Sequence, residues 1–284
     1  MADTKPSSGK RTVLVTGCSD GGCGAALAIA FHKAGLHVYA TARNPAKMKE
    51  VQSHGIETLT LDVVSESSIA ACVARLPQLD ILVNNAGALY SMPISDLSIP
   101  RAKQLFDLNV WSFLAMTQAF LPLLLKSKGM IVNHTSSASV LTIPFQATYN
   151  ASKAAMAMYS DTMRLELAPF GIRVVELKST SVASNGFKNQ QDVATLPKGS
   201  IYEPAREVVE RTLCGDFAAV EVTADQWAAE VVHDLLKPTP PQTIWRGTKA
   251  GMAKWAHYLV PASLLESMMV KMTGMDVVAR LVQG

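Results

Sequence analysis

Six short runs rich in β-branched residues, each but the last followed by a stretch with helical spacing, occupy the first two thirds of this 284-residue chain. The runs lie at 12–16, 36–41, 56–61, 80–83, 130–134 and 172–177. The helical stretches lie at 25–34, 45–53, 68–76, 100–126 and 148–169, with Gly35 and Gly55 as punctuation and Ser65 placed as an N-cap. Strands and helices in this alternation predict a single doubly wound parallel α/β sheet with helices on both faces and right-handed crossovers. From 179 to about 223 the pattern dissolves into polar, Gly- and Pro-containing sequence, with short apolar runs at 208–209 and 217–220 that carry some helix. So long a connection is a lid or a binding loop. A helix at 224–236, a short strand at 242–245 and a methionine-rich tail follow. No repeat or linker divides the chain, which predicts one domain over 1–284, with a core at 11–178, a substrate loop at 179–225 and a helical tail at 249–284.

Apolar residues make up 49% and charged residues 17%, a globular balance. The net charge of +3 and the scattered basic residues argue against a nucleic-acid partner. The opening MADTKPSSGK lacks the apolar centre of a signal peptide, so a cytoplasmic location is expected. Residues 110–125 are about a turn short of a spanning helix and contain Pro122, which reads as a buried helix. Cys18, Cys23, Cys72 and Cys214 show no C-x-x-C spacing, as free thiols in a reducing compartment would not. A metal at Cys18 and Cys23 would have only His32 and His37 nearby, without finger-like spacing, so no metal is expected.

The first strand ends in Val15-Thr16-Gly17-Cys18-Ser19-Asp20-Gly21-Gly22-Cys23-Gly24-Ala25-Ala26, through which no G-x-G-x-x-G can be drawn. A helix opening there still offers unpaired N–H groups and a positive dipole end to an anion. Glycines let the backbone approach a pyrophosphate without a Cβ clash. The second strand runs into Tyr39-Ala40-Thr41-Ala42-Arg43-Asn44, with no carboxylate to accept a ribose 2′-OH. Arg43 there suits the 2′-phosphate of NADPH/NADP+, while Asp20 in the glycine turn bears on the same phosphate with the opposite charge.

Tyr149 and Lys153 stand four apart on a predicted helix and therefore share a face. Ser136 ends the fifth strand, at the carboxyl edge where open α/β sheets bind ligands. A phenol with a pKa of about 10 transfers protons near neutrality only if its phenolate is stabilised. An ammonium one turn away does that, and Ser136 would hold the substrate oxygen.

These residues, in this order, resemble the short-chain dehydrogenases/reductases over about 11–184, which implies a Rossmann-type fold. Thr16-Gly17…Gly24 is similar to the family's cofactor turn, Leu61-Asp62-Val63 to its adenine segment, Asn84-Asn85-Ala86-Gly87 to its N-N-A-G, and Tyr149-Asn150-Ala151-Ser152-Lys153 to its Y-x-A-S-K. The thirteen-residue step back from Tyr149 selects Ser136 over Ser137. The resemblance implies that Tyr149 is the acid or base and that Lys153 binds the nicotinamide ribose and lowers the Tyr149 pKa. It also implies that Asn109 completes a proton relay through its backbone. The implied cofactor contacts are Gly17, Ser19, Gly21, Gly22, Gly24, Arg43, Asp62, Val63, Asn85, Ala86, Gly87, Tyr149, Lys153 and Val182. The helices at 110–125 and 148–169 often pack across a subunit interface in this family, so a homo-oligomer is expected.

Two departures stand out. The glycine turn is one residue longer than G-x-x-x-G-x-G, with Gly21 or Gly22 as its middle glycine. Ser179-Thr180 occupy the usual Pro-Gly positions. The T-G-C-S-x-G-G turn, the A-T-A-R segment and the tail at 255–275 most resemble the 1-acyldihydroxyacetone-phosphate reductase-like group. That group implies reduction of a ketone on a lipid, with relatives acting on specialised metabolites. The expected partner is therefore a small hydrophobic carbonyl or alcohol. In the tail, Leu265, Met268, Met269 and Met272 recur at helical spacing, which reads as core or pocket wall in preference to a contact with an intracellular membrane. The leading expectation is an NADPH-dependent ketoreductase. The alternatives are an oxidative alcohol dehydrogenase and a nucleotide-binding scaffold without turnover.

Overall fold

Seven parallel strands form one sheet in the order β3-β2-β1-β4-β5-β6-β7. They are β1 Thr12–Thr16, β2 His37–Ala42, β3 Glu57–Thr60, β4 Ile81–Asn84, β5 Met130–His134, β6 Arg173–Ser179 and β7 Thr243–Arg246. The computed structural model describes residues 9–185 and 195–283; residues 186–194 of the expected substrate loop lie outside this range. Every expected strand is present within two residues of its expected ends. β6 runs on to Ser179 because Lys178 and Ser179 pair with Trp245 and Arg246 of β7. The order reverses between β1 and β4, and at such a switch point the carboxyl ends of neighbouring strands open a crevice.

The helices are α1 Cys23–Lys33, α2 Lys49–Ser53, α3 Glu66–Val73, α4 Ile99–Phe106, α5 Ser112–Ser127, α6 Ala147–Leu167, α7 Arg206–Leu213, α8 Ala224–Leu235, α9 Ala250–Leu259, α10 Ala262–Met272 and α11 Met275–Gln283. Period-two alternation sends β1 side chains into both layers. Val13 and Val15 join Leu27 and Phe31 of α1 and Trp227 and Val231 of α8, while Leu14 joins Met116, Phe120 and Leu124 of α5 and Met163 of α6. Each such large side chain contributes about 1.5–3 kcal/mol by leaving water.

A five-residue π-helix, Asp107–Trp111, joins α4 to α5, so the helix is continuous over 29 residues from Ile99 to Ser127. This matches the helix expected at 100–126; by length and composition the whole of it could cross a membrane, although its uncharged part at 110–125 alone is about a turn short. In this fold Phe113, Met116, Phe120 and Leu124 are buried in the protein core.

The tail departs from expectation. α10 has no buried residue: Met268 and Met272 are exposed, and Leu265 and Met269 are half-buried. The methionine stripe is therefore not core. α10 packs mainly on α9 and α11. It is α11 that docks, placing Val278 and Met275 in a small core with Phe145, Leu196, Val209 and Leu213.

Candidate active site

The turn between β1 and α1 brings the chain so close to neighbouring backbone that side chains have no room. A Cβ on Gly17, whose φ is +75°, would lie 2.9 Å from Ala86 Cα, and one on Gly24 would lie 2.4 Å from the Gly17 carbonyl oxygen. The extra residue is taken up in a turn closed by the Gly22 N–H donating to Ser19 O at 3.0 Å. Gly21 carries the left-handed φ of +70°, while Gly22 is the extended N-cap of α1. The two glycines thus do different work, and Gly22 with Gly24 keeps the family's G-x-G spacing. α1 begins with no side-chain cap and no acid in its first turn. Its amino end therefore suits an anion. The two cysteines are engaged separately: Cys18 Sγ donates to Val15 O and Gly24 O, and the Cys23 thiol is hydrogen-bonded to Ser184.

Asp20 turns its carboxylate onto the start of α2, accepting from Lys49 N at 3.1 Å and Glu50 N at 2.9 Å. Arg43, past the end of β2, is exposed and has no ion pair among the described residues. Asp62 and Val63 follow β3; the Asp62 N–H donates to Ser68 Oγ, and Val63 is buried. After β4, Thr16 Oγ1 accepts the N–H groups of Asn85 and Ala86, both at 2.9 Å. This pins the N-N-A-G segment to the glycine turn. Asn84 Nδ2 donates to Asn133 Oδ1 and Asn133 Nδ2 to Ser160 Oγ, a buried polar chain that fixes α6 on the sheet.

Ser136, Tyr149 and Lys153 meet where β5 ends. Ser136 caps a short 3₁₀ turn, its Oγ accepting from Ala138 N at 3.1 Å. Burial raises the Tyr149 pKa, and the nearby Ser136 side chain opposes that rise. Lys153 is buried, donates to His134 O at 2.9 Å, and lies 5.7 Å from the Tyr149 ring centroid. Burial pulls its pKa down to about 8. Asn109 sits in the π-helix with its carboxamide occupied: Oδ1 accepts from Ala88 N, and Nδ2 donates to Ala88 O and Ser152 Oγ. Its backbone is what remains for any relay. π-helical turns recur at functional sites.

Against Tyr149 packs one apolar cluster, Tyr90, Met92 and Leu105, and a second joins Phe145 with Leu196 and Tyr202. Phe145 holds a φ of +63°, a strained conformation for a bulky residue, with its carbonyl accepting from Met92 N at 2.7 Å. Sequence reasoning missed His134, whose ring bridges Asn85 and Ser179, and Trp227, which shares Ser179 with it. The signal available was the position of His134, two residues before Ser136 on the same strand. Val182 packs on the core beside α1 and α8. A groove of about 620 Å³ between α1 and α8 holds none of these residues. No cluster of three potential metal ligands occurs among the described residues.

Residues 11–194 match the family model described as short chain dehydrogenase. A short-chain dehydrogenase/reductase of Pestalotiopsis microspora is 53% identical over 279 residues, spanning 97% of this chain and 98% of the relative. The NADPH-dependent 1-acyldihydroxyacetone phosphate reductase of Schizosaccharomyces pombe is 38% identical over 255 residues, 84% and 86% of the two chains. Among solved structures, a short-chain dehydrogenase from Streptomyces avermitilis superposes with a TM-score of 0.75 at 26% identity, covering 96% and 98%. One from Burkholderia cenocepacia, solved with NADP, shares the fold with a TM-score of 0.74 at 22% identity, covering 92% and 98%. With its seven-stranded parallel sheet and its Ser136, Tyr149 and Lys153 at one strand end, the chain belongs to the short-chain dehydrogenase family of oxidoreductases.

Proposed function

We propose that this protein reduces a ketone on a hydrophobic substrate to a secondary alcohol with NADPH. The observation that carries the reading is the Tyr149 phenol beside Ser136 and one helical turn from the buried Lys153, at the same sheet edge as the glycine turn. The residues fit the cofactor: Gly17 and Gly24 let the turn close more tightly on Ala86 and the Gly17 carbonyl than any Cβ would allow, and the uncapped start of α1 offers N–H donors to an anion. In this reading Ser19, Gly21 and Gly22 frame the pyrophosphate, and Arg43 takes the 2′-phosphate. Asp62 and Val63 flank the adenine, Asn85, Ala86 and Gly87 line the ribose side, and Val182 stands toward the nicotinamide.

When bound, the cofactor supplies the hydride. The chain's own part is the proton and the geometry. Ser136 holds the substrate oxygen, and Tyr149 gives it a proton. Lys153 stabilises the phenolate that remains, and the Asn109 backbone would hold a water next to Lys153 through which a proton returns. Intact Ser136, Tyr149 and Lys153 argue against a scaffold without turnover. The apolar side chains of Tyr90, Met92 and Leu105 against Tyr149, joined to the Phe145 cluster by the Met92 N–H on the Phe145 carbonyl, support a hydrophobic substrate, as does the lipid ketone in the name of the Schizosaccharomyces pombe relative. That name also supports NADPH, as do the unpaired Arg43 and the occupation of Asp20 at α2. Exposed Trp111, Met158 and Leu165 support α5 and α6 as the contact with a second copy, which sedimentation would read.

Fluorescence titration with NADPH and NADH tests the cofactor. NADPH binds more tightly, and Arg43→Ala abolishes the difference; tighter NADH binding overturns the preference. Turnover of a panel of apolar ketones tests the chemistry, and a Tyr149→Phe variant with full activity would remove Tyr149 from its role.

A further inference from the structure

The strand end that leads to Ser136 carries an imidazole for which the chemistry above has no use. Its surroundings define the position of every proton. Asn85 Nδ2 donates to Thr16 O at 2.7 Å and Gly17 O at 3.4 Å, so the Asn85 oxygen faces His134 Nδ1, at 2.9 Å. That ring nitrogen must therefore be the protonated one. Nε2 is left as an acceptor and takes the hydroxyl proton of Ser179 at 2.8 Å. Ser179 Oγ in turn accepts from Trp227 Nε1 at 3.1 Å, and the Trp227 ring stacks on the imidazole with centroids 5.2 Å apart at 29°. The row runs from tryptophan through serine, histidine and asparagine to the backbone of the glycine turn, each donor meeting an acceptor. Burial, helped by the Lys153 ammonium, holds the His134 pKa down to about 3, so the ring stays neutral.

Ser179 and Thr180 stand where the family has Pro-Gly, and neither residue fixes its own backbone as proline does. Thr180 is tied on the other side, its N–H donating to Arg246 O at 3.0 Å and its hydroxyl to Thr248 O at 2.8 Å. Further along, Asn185 N donates to Gly21 O at 3.1 Å and Asn185 Nδ2 to Asp20 O at 3.0 Å. The segment after β6 is thus sewn to the phosphate turn by bonds that span more than 160 residues of sequence. We propose that His134 is a positioning residue. Its Nδ1–H imidazole locks Asn85, and through it the Thr16–Gly17 end of the phosphate turn, to Ser179 at the root of the substrate loop. Side chains here replace the restraint of a proline ring and set the two walls of the cofactor cleft at a fixed separation. The inference rests on the cofactor reading given above.

A double-mutant cycle and one spectrum test it. KM for NADPH and kcat are measured for wild type, Ser179→Ala, His134→Leu and the double variant. The Lys153 bond goes to the His134 backbone carbonyl, which substitution retains. Each single change is expected to raise KM for NADPH about tenfold with kcat held within about threefold, and the double variant is expected to be no worse than either. Effects that multiply to about a hundredfold would show two unconnected roles and overturn the lock. Long-range ¹H–¹⁵N NMR on the wild type is expected to find a neutral Nδ1–H ring from pH 5 to 8; an Nε2–H ring overturns the proposal without any variant. If the wild type binds no NADPH, the cofactor reading fails. The same cycle read in thermal melting then judges the lock alone, coupled shifts supporting it and additive shifts refuting it.

Discussion

Helices α1 and α9 are nearly equal in length, 11 and 10 residues, and both are predominantly apolar. α1 buries seven residues, among them Leu27, Ile29 and Phe31; α9 buries Ala250 alone and turns Met252, Trp255, Tyr258 and Leu259 outward, each more than half exposed. Composition does not separate them; their place in the chain does. α1 leaves β1 at the middle of the sheet and must cross back over it, so the sheet and α8 cover its apolar side. α9 follows β7, the edge strand, where no further strand extends the surface it lies on. The body of this protein is built by the sheet, and α9 and α10 are carried by it. Function and stability should therefore respond in opposite degrees to changes in the two regions.

The largest difference is expected in turnover. Tyr149→Phe removes the proton donor while leaving the ring and its neighbours Tyr90 and Met92 in place, so kcat should fall by roughly two to four orders of magnitude with an unchanged melting temperature. Trp255→Ala, a far larger loss of side chain but on α9, should leave kcat within about twofold, since that side chain is 58% exposed. Equal losses in both variants would break the comparison. Next comes stability. Phe120 is fully buried beneath the sheet, and Phe120→Ala should cost about 3–5 kcal/mol in denaturant unfolding.

Much of this division was legible in the residues, and the parts that were not have a common cause. The strands were readable because a parallel sheet covered on both faces needs continuous β-branched runs, and these contrast with the helical spacing between them. Ser136, Tyr149 and Lys153 were readable because their spacing matches one helical turn and one strand end. The long helix at 100–126 was readable too, but the π-helical turn within it was not, because it breaks the periodicity without ending the helix. The α10 stripe was misread because helical spacing identifies an apolar face but says nothing about what lies against it. His134 escaped because its partners, Asn85, Ser179 and Trp227, come from three other segments and only the folded sheet brings them together.

The body should also show a pH signature that the tail lacks. Lys153 has its pKa lowered by burial to about 8, so its ammonium is present below that pH and lost as pH rises through it. If the charge stabilises the Tyr149 phenolate, kcat/KM for ketone reduction should fall about tenfold per pH unit above 8. Lys153→Met should be slow at every pH and show no such limb. A profile flat to pH 10 in the wild type would mean that Lys153 does not titrate in the free enzyme.

The smallest effect divides the tail itself. α11 reaches the body through Val278, 3% exposed, whereas Met268 on α10 meets water. Val278→Ala removes two buried methyl groups and should lower stability by about 1–2 kcal/mol. Because Val278 shares its small core with Phe145, the same change should raise KM for an apolar ketone while KM for NADPH stays as it was. Met268→Gln should shift stability by less than about 0.5 kcal/mol, because an exposed thioether gives up no packing when it becomes an amide. A cost at Met268 equal to that at Val278 would mean that the α10 face is covered in solution. The chain would then have two buried surfaces, and the contrast between α1 and α9 would belong to the isolated protomer alone.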